Sequence, residues 1–178
     1  MEPTLKTNIW QQFGAAIDTL DRAIRACPDQ LWLGGLWDTG SERPEWAQFW
    51  YVTYHTLFWL DYYLSGSDPS FTPPAPFTLD EADPAGVLPE RPYTQAELQS
   101  YLEHGRKKCQ ATIESLSDEK AHERCRFSWG EIDFVELLLY SMRHIQEHAA
   151  QLNLFLGQKV GFAPGWVTKA KVDFDRTQ

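Results

Sequence analysis

Apolar positions recur at three- and four-residue steps over four long stretches of the chain. Ile9, Phe13, Ala16, Ile17, Leu20 and Ile24 form the first stripe, which predicts a helix over about residues 5–26, stopped by Cys27-Pro28-Asp29. A short helical turn is predicted over 30–33, before the break at Gly34-Gly35. The second long helix is predicted over about 44–64, with Ser41 as its cap, Pro44 in its first turn and Ser65-Gly66-Ser67 as its stop. The third starts at Thr94, where Glu97 completes a capping-box pattern, and runs over about 94–116. Its inner stripe is Leu98, Tyr101, Leu102, Cys109, Ile113 and Leu116. The fourth is predicted over about 131–156, ending at Gly157. Its apolar stripe is Val135, Leu138, Leu139, Met142, Ile145, Leu152 and Leu156, opposite a charged arc of Glu136, Arg143 and Glu147.

No segment reads as a strand. The pattern predicts an all-α protein: a four-helix bundle forming one domain over residues 1–178. A long proline-rich connection over about 66–92 separates the second and third helices. Connections of this length in a compact domain are usually functional or disordered. Phe71, Phe77, Val87 and Leu88 within it predict a segment packed onto the body, as a lid would be. The tail over 157–178 reads as irregular, with Phe162 and Trp166 expected to dock.

Charge narrows the function. The net charge is -9 and the pI near 5.0, which argues against nucleic acid as a partner. The one basic run, Arg106-Lys107-Lys108, is expected to be a solvated helix face. Cys27, Cys109 and Cys125 are odd in number and widely spaced, as reduced thiols of a cytoplasmic protein would be. No apolar leader segment opens the chain. The run WAQFWYVTYHTLFWLDYYL has the length of a membrane span, but it carries Gln48, His55, Asp61 and several tyrosines. It is expected to be a helix buried on most sides, with no membrane as partner.

The chemistry sits in RHIQEHAAQLNLFLG. His144 and His148 are four residues apart, so on a helix their rings lie one above the other. They share a stripe with Gln151 and Phe155, away from the charged arc. In the second helix, His55 lies on one face with Gln48, Tyr51, Trp59 and Tyr62. Three inward imidazoles that meet would leave open positions on a metal ion, the condition for a catalytic or substrate-binding centre. Three separate core histidines, each bonded to a carbonyl or a tyrosine, satisfy the same pattern. His104 and His122 are expected at the surface. HIQEH also fits the inverted zinc-protease motif, but only thirty residues follow His148 and no β pattern accompanies it. A di-iron carboxylate bundle needs two Glu-x-x-His motifs on core helices, and the only copy is Glu119–His122 in a polar link.

A histidine within YHTLFWLDYYLSG of the second helix, a His-x-x-x-His pair within RHIQEHAAQLNLFLG of the fourth, and an extended link after the second helix resemble the DinB-like (YfiT-like) superfamily of metal-dependent bundles. The resemblance spans about residues 5–157. It implies a bundle in up-down-down-up order and a homodimer. It implies one divalent metal ion on His55, His144 and His148, with zinc or nickel foremost and iron or manganese also accepted. Characterised members of that superfamily include thiol-dependent S-transferases. A small-molecule thiol and an electrophilic substrate are therefore the implied partners, or water in a hydrolase-like variant. Tyr51, Trp59, Tyr62 and Gln151 are candidates to line the substrate pocket. The alternative is a non-enzymatic metal- or ligand-binding helical bundle, stress-related and acting as a dimer. The link over 66–92 is longer and richer in proline than that pattern needs.

Overall fold

The computed structural model describes residues 1–40 and 43–171. The protein is mostly helical, with one small sheet. Its elements are α1 (Pro3–Ala26), α2 (Phe49–Leu64), α3 (Gln95–Ser115), the short α4 (Asp118–Ala121), β1 (Arg124–Phe127), β2 (Gly130–Asp133) and α5 (Phe134–Val160). No helix among the described residues is long and apolar enough to cross a membrane.

Each long helix begins where local chemistry satisfies its first N–H groups. The Glu2 carboxylate accepts from the N–H of Thr4 and of Leu5, ahead of Pro3 in the first turn of α1. Thr94 and Glu97 form the predicted capping box on α3, and Arg91 pairs with Glu97 at 2.6 Å. The start of α2 differs from expectation. Pro44–Ala47 forms a separate 3-10 turn, and the α-helix starts at Phe49. The Phe49 and Trp50 N–H groups donate to the Gly34 and Trp32 carbonyls, so the segment just after α1, not the adjoining turn, caps α2. Ser41, the predicted cap, lies outside the described residues.

α1 packs on α3 and α5, and α2 packs on the same two helices. Lys6 in the first turn of α1 donates to the Glu114 carbonyl near the end of α3 at 2.9 Å. Gln95 at the start of α3 donates to the Ile24 carbonyl near the end of α1. Between them lies a core that includes Trp10, Phe13, Leu20, Phe49, Phe58 and Leu152. Removing such side chains from water is the main favourable contribution to folding, at roughly 1.5–3 kcal/mol each.

The connection over 66–92 packs against the bundle as a strap. Phe77 is buried and stacks on Tyr101 at 4.1 Å between centroids, with Tyr54 and Tyr93 beside it. Phe71 and Leu88 are half-buried and Val87 is exposed. The strap is therefore held by the aromatics of its first half and, further on, by Leu88 and the Arg43 donor to the Gly86 carbonyl.

Several expectations are corrected. Residues 124–133 form an antiparallel hairpin pairing Arg124 with Asp133 and Cys125 with Ile132. Cys125 and Ile132 face inward while Arg124 and Arg126 pair with Glu131 outside. The hairpin takes the predicted first turn of the last helix, so α5 starts at Phe134. That helix passes Gly157 and ends at Gly161, whose φ of 72° is the left-handed conformation that glycine favours at a helix end. Leu139 is exposed, and Phe162 and Trp166 do not dock. Instead Val167 is buried, and the N–H groups of Ala170 and Lys171 donate to the Gln11 carbonyl and the Asp18 carboxylate.

The basic run is a correction too. Lys107 is solvated, but its neighbours each reach a buried carboxylate. Arg106 forms an ion pair with Asp18 at 2.8 Å. Lys108 donates to Asp61 at 2.6 Å, and the Tyr101 hydroxyl donates to the same carboxylate. Removing one partner of such a pair leaves the other charge unmatched. Asp61→Ala is expected to lower stability by roughly 3 kcal/mol in urea denaturation. Lys107→Ala should change it by less than about 0.5 kcal/mol.

Candidate metal centre

The adjacent α2 and α5 bring His55 against His144 and His148. His144 and His148 are one helical turn apart, so their rings lie over one another with centroids 4.5 Å apart. The Nε2 atom of His144 lies 3.1 Å from Nε2 of His55 and 3.0 Å from Nε2 of His148. The three form a group that could hold a metal ion, with ligand atoms all within 4.8 Å of one another.

The far side of each ring decides what these short distances mean. His55 Nδ1 faces Glu81 Oε1 at 2.5 Å, and His148 Nδ1 faces Gln151 Oε1 at 2.8 Å. Both oxygens only accept, so both Nδ1 atoms carry hydrogen. In neutral rings both Nε2 atoms are then bare lone pairs, and both lie against His144 Nε2. That nitrogen can donate at most one hydrogen, so at least one contact of about 3 Å sets lone pair against lone pair. Protonating His144 or His148 would relieve this, but burial opposes it at both rings. Burial, with His55 and His148 alongside, pushes His144 down to about 3. Burial and His55 also lower His148. A cation at the convergence point satisfies all three lone pairs. Nitrogens bonded to one ion at ~2.1 Å and at angles of about 90–110° lie roughly 3.0–3.4 Å apart, which the observed spacings fit. His144 Nδ1 is buried with no hydrogen-bond partner among the described residues.

Glu81 is the residue that sequence reasoning missed. It sits in a 3-10 turn, Asp80–Ala82, halfway along the strap, and its side chain is 6% exposed. Besides His55, it accepts from the Tyr51 hydroxyl at 2.7 Å and from Trp59 Nε1 at 3.1 Å. Tyr51, His55 and Trp59 are spaced by four on α2, so one carboxylate ties three residues of one helical face. Nothing in LDEADPAG sets Glu81 apart from Asp80 or Asp83, and only the strap's path over α2 selects it.

The other predicted residues fall as follows. Gln151 orients His148, and Tyr51 and Trp59 border the histidines. Tyr62 turns away and lines a separate hollow with Phe58, Asp68 and Phe71. Gln48 accepts from Trp50 Nε1. His104 and His122 are exposed, though His104 Nε2 approaches Asp61 at 3.4 Å. Glu147 is exposed at the rim of a hollow holding all three histidines, with Trp59, Tyr63 and Tyr140. The cysteines are free and buried. Burial raises all three thiols, Cys27 to about 12, so none supplies a ready thiolate.

A family model described as the DinB superfamily matches residues 3–152. The chain belongs to the DinB superfamily. A comparison with curated proteins gives no match. The DinB match takes in His55, His144, His148, Glu81 and Gln151, so the three rings and the partners of His55 and His148 lie within it.

The pH dependence follows from the direction of the histidine shifts. An unfolded histidine titrates near 6.5, whereas His144 in the folded protein takes no proton until about 3. The unfolded chain therefore binds more protons between these values. The stability this represents is complete above about pH 6.5 and is lost as pH falls toward 3. Metal-free His144→Gln should lose about one proton of this linkage, read as a shallower decline of unfolding free energy between pH 6 and 4.

Proposed function

We propose that the chain is a divalent-metal protein whose ion is held by Nε2 of His55, His144 and His148. The fold we assign is one domain, a four-helix bundle in up-down-down-up order. The observation that carries the reading is the convergence of the Nε2 atoms at 3.0–3.1 Å, with Nδ1 hydrogens committed elsewhere on His55 and His148. Neutral imidazoles accept zinc, nickel, iron or manganese, and zinc or nickel is the first expectation.

The function this supports best is a metal-dependent enzyme of the thiol S-transferase type, acting on a small thiol or on water and an electrophilic partner. A divalent ion with open positions would acidify a thiol or water reaching it, near neutral pH. The protein's own residues set the stage. Glu81 keeps the proton of His55 on Nδ1 and Gln151 keeps that of His148 on Nδ1, so both Nε2 lone pairs stay free. Trp59, Tyr63 and Tyr140 border the site. The Tyr51 phenol is held protonated, because burial and the neighbouring Glu81 oppose its ionisation. It serves as a donor to Glu81 and not as a base.

Untagged protein analysed by plasma mass spectrometry should carry close to one equivalent of divalent metal. His55→Ala and His148→Ala should lose it with helicity intact. Glu81→Gln should keep the fold and weaken metal affinity by about 10–100-fold. Absence of metal in the wild type, even after addition of zinc, nickel or manganese, would remove the basis of this reading.

A further inference from the structure

The histidines are reached from two sides, and the sides differ in chemistry. On one side the hollow of Trp59, Tyr63 and Tyr140 includes Glu147. On the other, His55 and His148 form the inner edge of a hollow of about 360 Å³ walled by Trp37, Trp46, Tyr51 and Val52. This volume lies in the range of small-molecule sites, where apolar walls surround a few polar groups.

Its walls are built, not incidental. Trp37 and Trp46 are 46% and 41% exposed and line the same hollow, so their exposed surface is contiguous with it. Trp46 is fixed from both sides. The Arg43 guanidinium lies over its ring at 5.1 Å and also donates to the Gly86 carbonyl of the strap. Gly86 has φ +65°, and a Cβ there would come within 2.8 Å of the Trp46 ring. Only glycine lets the strap close this tightly on the indole. The polar groups of the wall are largely spoken for: the Tyr51 hydroxyl and His55 Nδ1 both donate to Glu81. Glu81 also lines the hollow, but its carboxylate already accepts from Tyr51, His55 and Trp59, and the rest of the wall away from the histidines is mainly flat aromatic and alkyl surface.

We infer that this hollow binds the uncharged aromatic or alkyl body of a small-molecule substrate and presents the molecule's polar end to the histidines. The position of the polar end rests on the proposed metal site, whereas the body's preference for the hollow does not.

The test compares two ligands with one metal-seeking head. Acetohydroxamate and benzohydroxamate differ by the ring that the hollow should accept. In calorimetry on zinc-loaded protein, benzohydroxamate should bind about tenfold tighter, as expected for partial burial of a phenyl group. That preference should fall to about unity in Trp46→Ala and in Trp37→Ala, with zinc content retained. Equal affinities in the wild type, or a preference that survives in both variants, would overturn the inference and leave the metal reading standing. If neither hydroxamate binds, the ion offers no open position toward the hollow, which removes the placement of the polar end, and ethylbenzene titrated into metal-free protein decides the hollow. Saturable shifts of the Trp37 and Trp46 indole N–H resonances would uphold it, and their absence would overturn it.

Discussion

Three imidazole nitrogens come together between α2 and α5, and on two of the rings the opposite nitrogen is already bonded to a fixed acceptor. Glu81 and Gln151 hold the hydrogens on the opposite edges. A close group of acceptors in a half-buried site is electrostatically costly. The folded chain tolerates it because helix packing fixes the backbones and because the proposed cation would turn repulsion into ligation. The strap, the spacing on α2 and the hollows around the rings all follow from holding that geometry.

The bundle supplies the rigidity and the strap supplies the chemistry. α2 presents Tyr51, His55 and Trp59 at successive turns of one face, and a single carboxylate from outside the bundle receives all three. That carboxylate is positioned by aromatic packing a few residues earlier, where Phe77 stacks on Tyr101 of α3. Tyr101 in turn bonds Asp61 of α2, which Lys108 of α3 neutralises. Packing of α3 against α2 is thus linked to the orientation of His55 through contiguous contacts. A segment that reads as a loose proline-rich link is in physical terms part of the site's frame.

The long helices were legible because their stripes are long and their ends are marked by chemistry that acts locally, such as the Thr94–Glu97 box and the stop after Leu64. The histidine cluster was legible because helical periodicity places His144 and His148 together and puts His55 on the face that α5 covers. The hairpin over 124–133 was not, since each strand has only four residues and one buried position, too few for alternation to stand out. Asp61, Lys108, Arg106 and Asp18 misled in a different way: a charged residue on a helix reads as solvated unless its partner on another helix is known. Glu81, Trp37 and Trp46 were hidden for the same reason. They lie in connections whose path depends on tertiary contacts, and no periodicity reports where such a segment runs.

The sharpest check observes the imidazole nitrogens themselves. Long-range proton–nitrogen correlation spectra of ¹⁵N-histidine protein, recorded without metal and with one equivalent of zinc, separate Nδ1 from Nε2 on each ring. The account predicts hydrogen on Nδ1 of His55 and His148 in both states. It also predicts that Nε2 of His55, His144 and His148 shift together and saturate at one equivalent. Zinc that engages only one or two of these rings, or engages Nδ1 of His55 in place of Nε2, would contradict it.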